Sequence, residues 1–355
     1  MTDTGRLHAA AAAAVLALGI PGCSRRPDAP EAPAGRGAGG WEEIRIGTDA
    51  VFSGLHFVDA ETGWIVGGSP FVSGGIAGRT EDGGKTWAFV TGVTKGGRTS
   101  GLSAVHGFDR MRACAVGDGA FVTFDGGQSW QRARAVRRAA AHLWALDFLN
   151  ENEGWAAGAA GVLHTTDGGM NWTEVDGEES PVRHVNGRAL HFTDGRNGWL
   201  GGQHGALYRT RDGGATWARV PVPAPPGIEH PPTLFGSAWP DASRGWVVGE
   251  YGTILHTADG GDSWALRDAG TREAFFTAVA FAGPDGWIAG FLPDKARSVV
   301  YRSADGGGTW HLERTLDGEE LRALQVLDAD TGWAVGDRVR TEPQRLLRRA
   351  RGRTR

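Results

Sequence analysis

Six aspartates recur along the chain at spacings of 42 to 47 residues, and carboxylates in such a series could bind a metal or act as acids. Each lies in the pattern Ser/Thr-x-Asp-Gly-Gly-x-x-Trp, which we call the Asp-box. The aspartates of this pattern are Asp82, Asp125, Asp167, Asp212, Asp259 and Asp305, and its tryptophans are Trp87, Trp130, Trp172, Trp217, Trp264 and Trp310. A calcium loop needs several oxygen ligands at alternate positions, which one aspartate followed by two glycines does not supply. We therefore predict a structural role for these residues, with no metal and no cofactor.

The chemistry of the pattern suits a tight turn. An aspartate can accept backbone N–H bonds across a turn, and the two glycines supply positive φ without a Cβ clash. The tryptophan that follows would pack between neighbouring sheets, where an aromatic ring buries a large area. The Asp-box is thus predicted to be a repeated turn with an aromatic anchor.

A tyrosine beside a glutamate could act in glycoside hydrolysis. A sialidase uses a Tyr/Glu pair as its nucleophile and a cluster of arginines to bind the substrate carboxylate. Glu250 and Tyr251 form the one such pair, and they fall in a predicted turn. Tyr208 and Tyr301 share one repeat position in a predicted strand, which favours packing. We predict no catalytic residues and no enzymatic activity. The alternative is a glycan-active or glycan-binding protein, sialidase-like or another glycoside hydrolase.

Three histidines, His56, His106 and His191, fall at matching positions in predicted strands. If those strands surround an axis, the imidazoles line a central channel. Metal binding would need each imidazole nitrogen to lie about 2 Å from the metal, which is difficult for histidines on separate repeat units. We expect a polar lining of the channel.

Arginines cluster in segments predicted to connect repeat units. The candidate partner-binding residues are Arg132, Arg134, Arg137, Arg138, Arg183 and Arg188. Loops on a rigid scaffold commonly carry binding sites, and arginine binds carboxylates through two parallel hydrogen bonds. A protein-docking patch is the hypothesis, and a solvated basic loop is the alternative.

These residues must be positioned by short strands, since 58 glycines weaken helices and no segment shows a sustained helical period. In the unit 188–220, four strand-like segments alternate with turns. A Gly-Trp pair begins the second strand of most units, at Trp64, Trp155, Trp199, Trp246, Trp287 and Trp333. Unit length and strand number together predict an all-β, seven-bladed β-propeller of four-stranded antiparallel blades.

The seventh unit lacks an Asp-box, whereas residues 41–46 resemble an isolated fourth strand. We predict that this N-terminal strand completes the last blade and closes the ring, which removes an exposed sheet edge. The propeller then spans residues 41–340. Residues 341–355, rich in arginine, are predicted to be a basic, disordered tail.

The N-terminus has the features of an export signal. An apolar run from Ala9 to Ile20 is too short to span a bilayer, and Ile20-Pro21-Gly22-Cys23 resembles a bacterial lipobox. We predict a signal peptide over 1–23 with lipidation at Cys23, and a flexible linker over 24–40. The protein would then be exported to the periplasmic or cell-surface side and tethered to the membrane. An ordinary cleaved signal is the alternative.

The remaining composition narrows the partners. Cys114 lies in an apolar strand and leaves no second thiol for an internal disulfide in the exported chain. The formal charge of −4 gives no reason to expect nucleic acid. We expect a monomer whose partner is a protein, including a membrane protein or an assembly intermediate.

The order of the repeat elements resembles the photosystem II stability and assembly factor family. Residues 245–249 read Gly-Trp-Val-Val-Gly, residues 252–257 read Gly-Thr-Ile-Leu-His-Thr, and the Asp-box of Asp259 follows. The resemblance implies an exported, non-catalytic propeller that binds newly made photosystem II core protein and assists its assembly.

Overall fold

The computed structural model describes residues 40–350, except for 69–73, 95–100, 136–141, 160, 176, 178 and 339–343. Its strands form seven separate sheets, and the described helical elements are two short 3-10 turns. The prediction of an all-β, seven-bladed propeller is confirmed.

The first strand, β1 (Gly40–Arg45), belongs to the last blade. Blade one contains β2 (Val51–Phe57), β3 (Gly63–Gly68), β4 (Ile76–Thr80) and β5 (Ala88–Thr91). Blade two contains β6 (Leu102–Gly107), β7 (Ala113–Gly117), β8 (Gly119–Thr123) and β9 (Gln131–Arg132). Blade three contains β10 (Arg134–Ala135), β11 (Leu143–Phe148), β12 (Gly154–Gly158), β13 (Gly161–Thr165) and β14 (Asn171–Glu174).

Blade four contains β15 (Ala189–Phe192), β16 (Gly198–Gly201), β17 (Leu207–Thr210) and β18 (Ala218–Arg219). Blade five contains β19 (Leu234–Ala238), β20 (Gly245–Gly249), β21 (Ile254–Thr257) and β22 (Ala265–Arg267). Blade six contains β23 (Phe275–Ala282), β24 (Asp285–Leu292), β25 (Arg297–Ser303) and β26 (His311–Asp317). Blade seven contains β27 (Glu319–Asp328), β28 (Thr331–Arg338), β29 (Arg345–Ala350) and β1. The 3-10 turns are Pro181–His184 and Pro293–Lys295.

Because the four main strands of each blade are antiparallel, the blade connections separate onto two faces. The turn between the first and second strands and the Asp-box turn lie on one face, which we call the Asp-box face. The turn between the second and third strands and the link to the next blade lie on the other, which we call the connection face. The first strand of each blade lines the central channel.

Aromatic packing joins neighbouring blades. The Gly-Trp tryptophans are nearly fully buried, and each contacts the following blade. Trp155 of blade three stacks on Phe192 of blade four with ring centroids 3.8 Å apart, and Trp333 of blade seven stacks on Phe57 of blade one at 3.6 Å. The core is therefore a series of inter-blade layers rather than one central cluster.

Blade seven is assembled from both ends of the described chain. Its strand order is β1-β29-β28-β27, so β1 forms the outer strand as predicted. The prediction of a disordered tail over 341–355 is wrong for Arg345–Ala350, which is the third strand of this blade. This strand pairs with β1 on one side and β28 on the other.

The high charge of this segment predicted disorder, but it also contains the apolar residues of a strand. Leu346 and Leu347 are fully buried between neighbouring strands. Arg349 is 1% exposed, and its guanidinium pairs with Glu313 at 3.0 Å and lies over the Trp287 ring. An acidic partner and an aromatic face, both from blade six, therefore allow a basic segment to be buried.

The connection after blade two adds a fifth strand to blade three, because β10 pairs in parallel with β14. Residues 1–39, which contain Cys23, the predicted signal segment and nearly all of the predicted linker, lie outside the described residues. Within the described part of the chain, no helix has the length and apolar character needed to cross a bilayer.

Candidate functional site

Each Asp-box aspartate is bonded within its own turn. Asp82 Oδ1 accepts hydrogen bonds from Thr80 Oγ1 at 2.8 Å and from the Thr86 backbone N–H at 2.9 Å, and Oδ2 accepts from Thr86 Oγ1 at 2.6 Å. The corresponding bonds recur in the turns of Asp125, Asp167, Asp212, Asp259 and Asp305. The carboxylates therefore lie on separate turns. Among the described residues, no three His, Cys, Asp or Glu side chains are grouped so that they could hold a metal.

The turns bind the ionised form of these aspartates. Donation from the Ser129 hydroxyl and backbone N–H lowers the pKa of Asp125 to about 2. Donation from the Thr309 backbone N–H and the Ser303 hydroxyl lowers the pKa of Asp305 to about 2. An acid catalyst would need a raised pKa, so this environment favours a structural carboxylate.

The Asp-box tryptophans lie beside the inter-blade aromatic layers. Trp172, Trp217, Trp264 and Trp310 are buried, while Trp87 and Trp130 are partly buried. Trp217 packs edge-on against Phe192, the ring that stacks on Trp155. Trp217 of blade four thus adds to the layer shared with blade three, and Trp130 of blade two likewise packs on Trp64 of blade one.

Glu250 and Tyr251, the residues of the glycan alternative, lie in a turn on the connection face. Glu250 Oε2 accepts a hydrogen bond from the Thr233 backbone N–H at 2.8 Å. Tyr251 has a φ of 57° and packs edge-on against Phe275. Glu250 therefore bonds the segment before β19 and Tyr251 packs on β23, and no observation favours a glycosidic site there.

The three predicted channel histidines do line the channel. His56 and His106 stack with ring centroids 4.3 Å apart, and the Gly107 backbone N–H donates to His56 Nδ1 at 3.0 Å. His191 Nδ1 lies 3.4 Å from Asp147 Oδ2. Burial lowers the pKa of His56 to about 3, with His106 adding to the shift, and burial lowers the pKa of His106 to about 4. These two imidazoles are therefore neutral near pH 7 and connect adjacent blades.

A β-bulge repeats in the first strand of six blades, close to the connection face. The bulges, together with the residue before β15, place one side chain per blade at the channel mouth. This mouth ring consists of Ser53, Ser103, Trp144, Arg188, Phe235, Thr277 and Arg322. It borders a cavity of about 300 Å³, and six of its members also line a channel cavity of about 470 Å³. Equivalent positions of the repeat thus carry hydroxyl groups, aromatic rings or guanidinium groups at this mouth.

The mouth ring places Arg188 among aromatic side chains. Its guanidinium lies 4.8 Å from the Trp144 ring centroid and 5.7 Å from that of Phe235. Burial and the nearby Arg322 lower the pKa of Arg188, while Glu250 opposes that change. Arg322 lies over Phe291 and pairs with Glu320. An incoming carboxylate would therefore relieve a desolvated positive charge.

The other described arginines of the predicted set, Arg132, Arg134 and Arg183, do not line this mouth. Arg132 lies over Phe121 and Arg134 pairs with the edge of blade three, so both lie on outer strands. Arg183 donates to the Gly177 carbonyl at 2.7 Å. Arg137 and Arg138 lie outside the described residues. Trp144, Phe235 and Arg322 were not predicted from the sequence. One signal for Arg322 exists, since it precedes an alanine at the repeat position that Arg188 occupies.

The chain matches a model of the family described as the photosynthesis system II assembly factor YCF48, over residues 109–182 and 227–332. A photosystem II assembly lipoprotein Ycf48 of Synechococcus sp. (strain CC9902) is 26% identical over 57% of this chain. The protein of the same name from Picosynechococcus sp. is 41% identical over 22% of this chain. These matches span 45% and 20% of the relatives' own lengths.

Solved structures share the fold at low sequence identity. A structure of YCF48 bound to a D1 peptide has a TM-score of 0.67 at 20% identity, and covers 88% of this chain and 95% of its own. YCF48 from Cyanidioschyzon merolae has a TM-score of 0.64 at 19% identity, covering 87% and 98%. A virginiamycin B lyase from Staphylococcus aureus has a TM-score of 0.67 at 12% identity, covering 88% and 99%. These likenesses show the propeller fold. Since the family model matches about half of the chain, this protein belongs to the photosynthesis system II assembly factor YCF48 family.

Proposed function

We propose that this protein is an assembly factor of the photosystem II type, which binds an anionic segment of a partner protein at the channel mouth. The observation that carries the proposal is Arg188, a partly desolvated guanidinium held between two aromatic rings beside an open cavity. Family membership indicates the class of partner, and a solved relative of the same fold binds a D1 peptide.

The chemistry of the mouth suits a polypeptide with a carboxylate and apolar side chains. Arg188 and Arg322 supply positive charge, and Trp144 and Phe235 supply flat apolar surface. A carboxylate can accept two parallel hydrogen bonds from one guanidinium, and the low-dielectric surroundings strengthen that contact. We therefore propose that the docking patch lies at the channel mouth and not on the outer connections. Arg188 belongs to both the predicted set of arginines and the mouth ring.

A binding measurement with a D1 peptide tests the proposal. We expect Arg188→Ala in the full chain to weaken binding at least tenfold, because a hydrogen bond to a charged group is worth about 1.5–3 kcal/mol. Arg110→Ala is the matched control, since Arg110 is an exposed arginine of the Asp-box face. Equal affinities for the wild type, the variant and the control would contradict docking at the mouth.

The Synechococcus and Picosynechococcus relatives are named as lipoproteins, and we propose the same attachment for this chain through Cys23. The protein would be exported, tethered to the membrane and exposed on the periplasmic or cell-surface side. Mass spectrometry of the mature N-terminus should find a lipidated Cys23. An unmodified N-terminus beyond Cys23 would exclude the anchor.

We further propose that the protein is a monomer, and that its assembly role is performed by binding and without glycosidic activity. Sedimentation of the soluble domain tests the first statement. The second can be tested with aryl-glycosides and sialosides. Turnover abolished by Glu250→Gln would overturn it in favour of the glycan alternative.

A further inference from the structure

Three side chains at one side of the channel mouth are arranged as a nucleophile, a base and an orienting acid. Ser103 Oγ lies 2.7 Å from His142 Nε2, and His142 Nδ1 lies 2.8 Å from Asp118 Oδ1. A carboxylate can only accept, so Nδ1 carries the proton and Nε2 is left to accept from the Ser103 hydroxyl. This is the order of contacts by which a histidine activates a serine.

Separate elements hold these groups in place. Ser103 occupies the bulge of β6, and Asp118 lies in the tight turn between β7 and β8. His142 directly precedes β11, and its backbone carbonyl accepts from the Ala159 N–H at 3.0 Å. The histidine therefore comes from blade three and the other two groups from blade two.

The serine is accessible to a small molecule. Ser103 lines both the mouth cavity and the channel cavity of about 470 Å³. The side chains of His142 and Asp118 are 20% and 16% exposed. Arg188 and Arg322 line the same cavity and contribute positive potential to it, which favours an anionic substrate.

We propose that Ser103 is a nucleophile activated by His142 and Asp118, with hydrolytic activity toward small carboxylic esters, favouring those with an anionic acyl group. Ser103 Oγ bonds to the ester carbonyl carbon while its proton passes to His142 Nε2. The bond to the alcohol then breaks and the alcohol takes that proton. Water then gives a proton to His142 Nε2 and bonds to the acyl carbon. The bond from that carbon to Ser103 Oγ breaks, Oγ takes the proton back from His142, and the carboxylic acid leaves. This activity goes beyond the proposed binding function and contradicts the prediction of a non-enzymatic protein.

A fluorophosphonate probe tests the nucleophile on the full chain, with intact mass and peptide mapping as readouts. We expect a single adduct on Ser103, slowed at least a hundredfold by His142→Gln, because general-base catalysis contributes about 10²–10⁴-fold. Asp118→Asn should slow labelling at least tenfold, since it disturbs the tautomer and orientation of the imidazole. The same variants should lower the hydrolysis of p-nitrophenyl succinate in the same order.

Ser53→Ala provides the matched control. Ser53 occupies the equivalent bulge position in blade one. The residue that corresponds to His142 there is Gly101, which directly precedes β6. Labelling at Ser103 should be unchanged in this variant. An unlabelled folded protein, or a labelling rate that His142→Gln leaves unchanged, would overturn the proposal. D1-peptide binding is measured on the same wild-type preparation, so a protein that binds the peptide but is not labelled overturns this proposal and leaves the binding function standing.

Discussion

Blades one to six and blade seven solve the same packing problem by different means. In the first six, an Asp-box turn connects the third and fourth strands and satisfies its own polar groups within a few residues. In blade seven the corresponding strands, β29 and β1, come from distant parts of the chain. Their place is fixed by side chains, including Arg349 with Glu313 and Arg345 with Glu43.

The difference shows what a repeat can and cannot encode locally. A turn restrained by its own aspartate and hydroxyls needs no distant partner. The closing blade has no such turn, so ion pairs and buried indoles join its two strands to blade six. Trp41 and Trp287 both donate their indole N–H to Glu313. We therefore expect blade seven to depend on long-range electrostatic contacts and the other blades on local hydrogen bonds.

The largest effect should come from removing the buried cation of blade seven. Arg349→Leu removes the charge-assisted hydrogen bonds from the buried guanidinium to Glu313 Oε1 and to the Ala329 carbonyl, each worth about 1.5–3 kcal/mol. We expect a marked fall in the free energy of unfolding, measured by urea denaturation. Arg348→Leu, which removes a longer contact of 3.6 Å to Glu42, is the control and should cost under about 1 kcal/mol. Similar losses in both variants would remove the distinction between the two blade types.

A local effect of intermediate size is expected from an Asp-box. Asp212→Ala removes the acceptor for the Thr210 hydroxyl and for the Thr216 backbone and hydroxyl groups. We expect a loss of roughly 1–3 kcal/mol in the free energy of unfolding, with D1-peptide affinity unchanged. Asp294→Ala, at an exposed position outside any Asp-box, should be nearly neutral. Lost peptide binding without lost stability would instead assign the carboxylate a functional role.

A smaller, pH-dependent effect should arise from the channel histidines. The folded pKa of His56, about 3, lies below its ordinary value of 6.5, so the unfolded chain binds the proton more readily. This contribution to stability is complete above pH 6.5 and is lost as the pH falls toward 3. His56→Asn keeps an acceptor for the Gly107 N–H but does not titrate. Between pH 6.5 and 4.5, the free energy of unfolding should therefore fall by roughly 1–2 kcal/mol less in this variant than in the wild type. An unchanged pH profile would argue against a neutral, shielded His56.

The smallest effect, of opposite sign, is expected at Glu319 in blade seven. This carboxyl is 2% exposed, and neither oxygen has a hydrogen-bond partner among the described residues. Burial raises its pKa to about 7, with Arg345 opposing the shift and Glu43 adding to it. A raised pKa means that stability falls as the pH rises from 4.5 through 7. Glu319→Gln should therefore raise the free energy of unfolding by about 1 kcal/mol at pH 8 and leave it unchanged at pH 4. A lower free energy of unfolding for the variant at pH 8 would show that the folded protein stabilises the ionised carboxylate of Glu319.

Much of the fold could be predicted from the sequence, whereas little of the site could. The Asp-box and the Gly-Trp pair recur in register, so the blade number and the closing role of β1 followed from local pattern. The tail failed as a prediction because Arg349 is buried only through Glu313 and Trp287, which no local pattern connects to it. Arg188 was one of six arginines predicted to bind a partner, and nothing in its own segment separates it from the others.

The sequence by itself determined the repeat, its period, its turns and its aromatic anchors, because each is a short-range preference of the backbone written once per blade. Only the tertiary structure decided which seven side chains meet at the channel mouth. Bulges in separate blades place them there, and contacts such as Ser103 with His142 cross from one blade to the next. Such contacts join residues that are distant in the chain, so their chemistry exists only after the ring has closed.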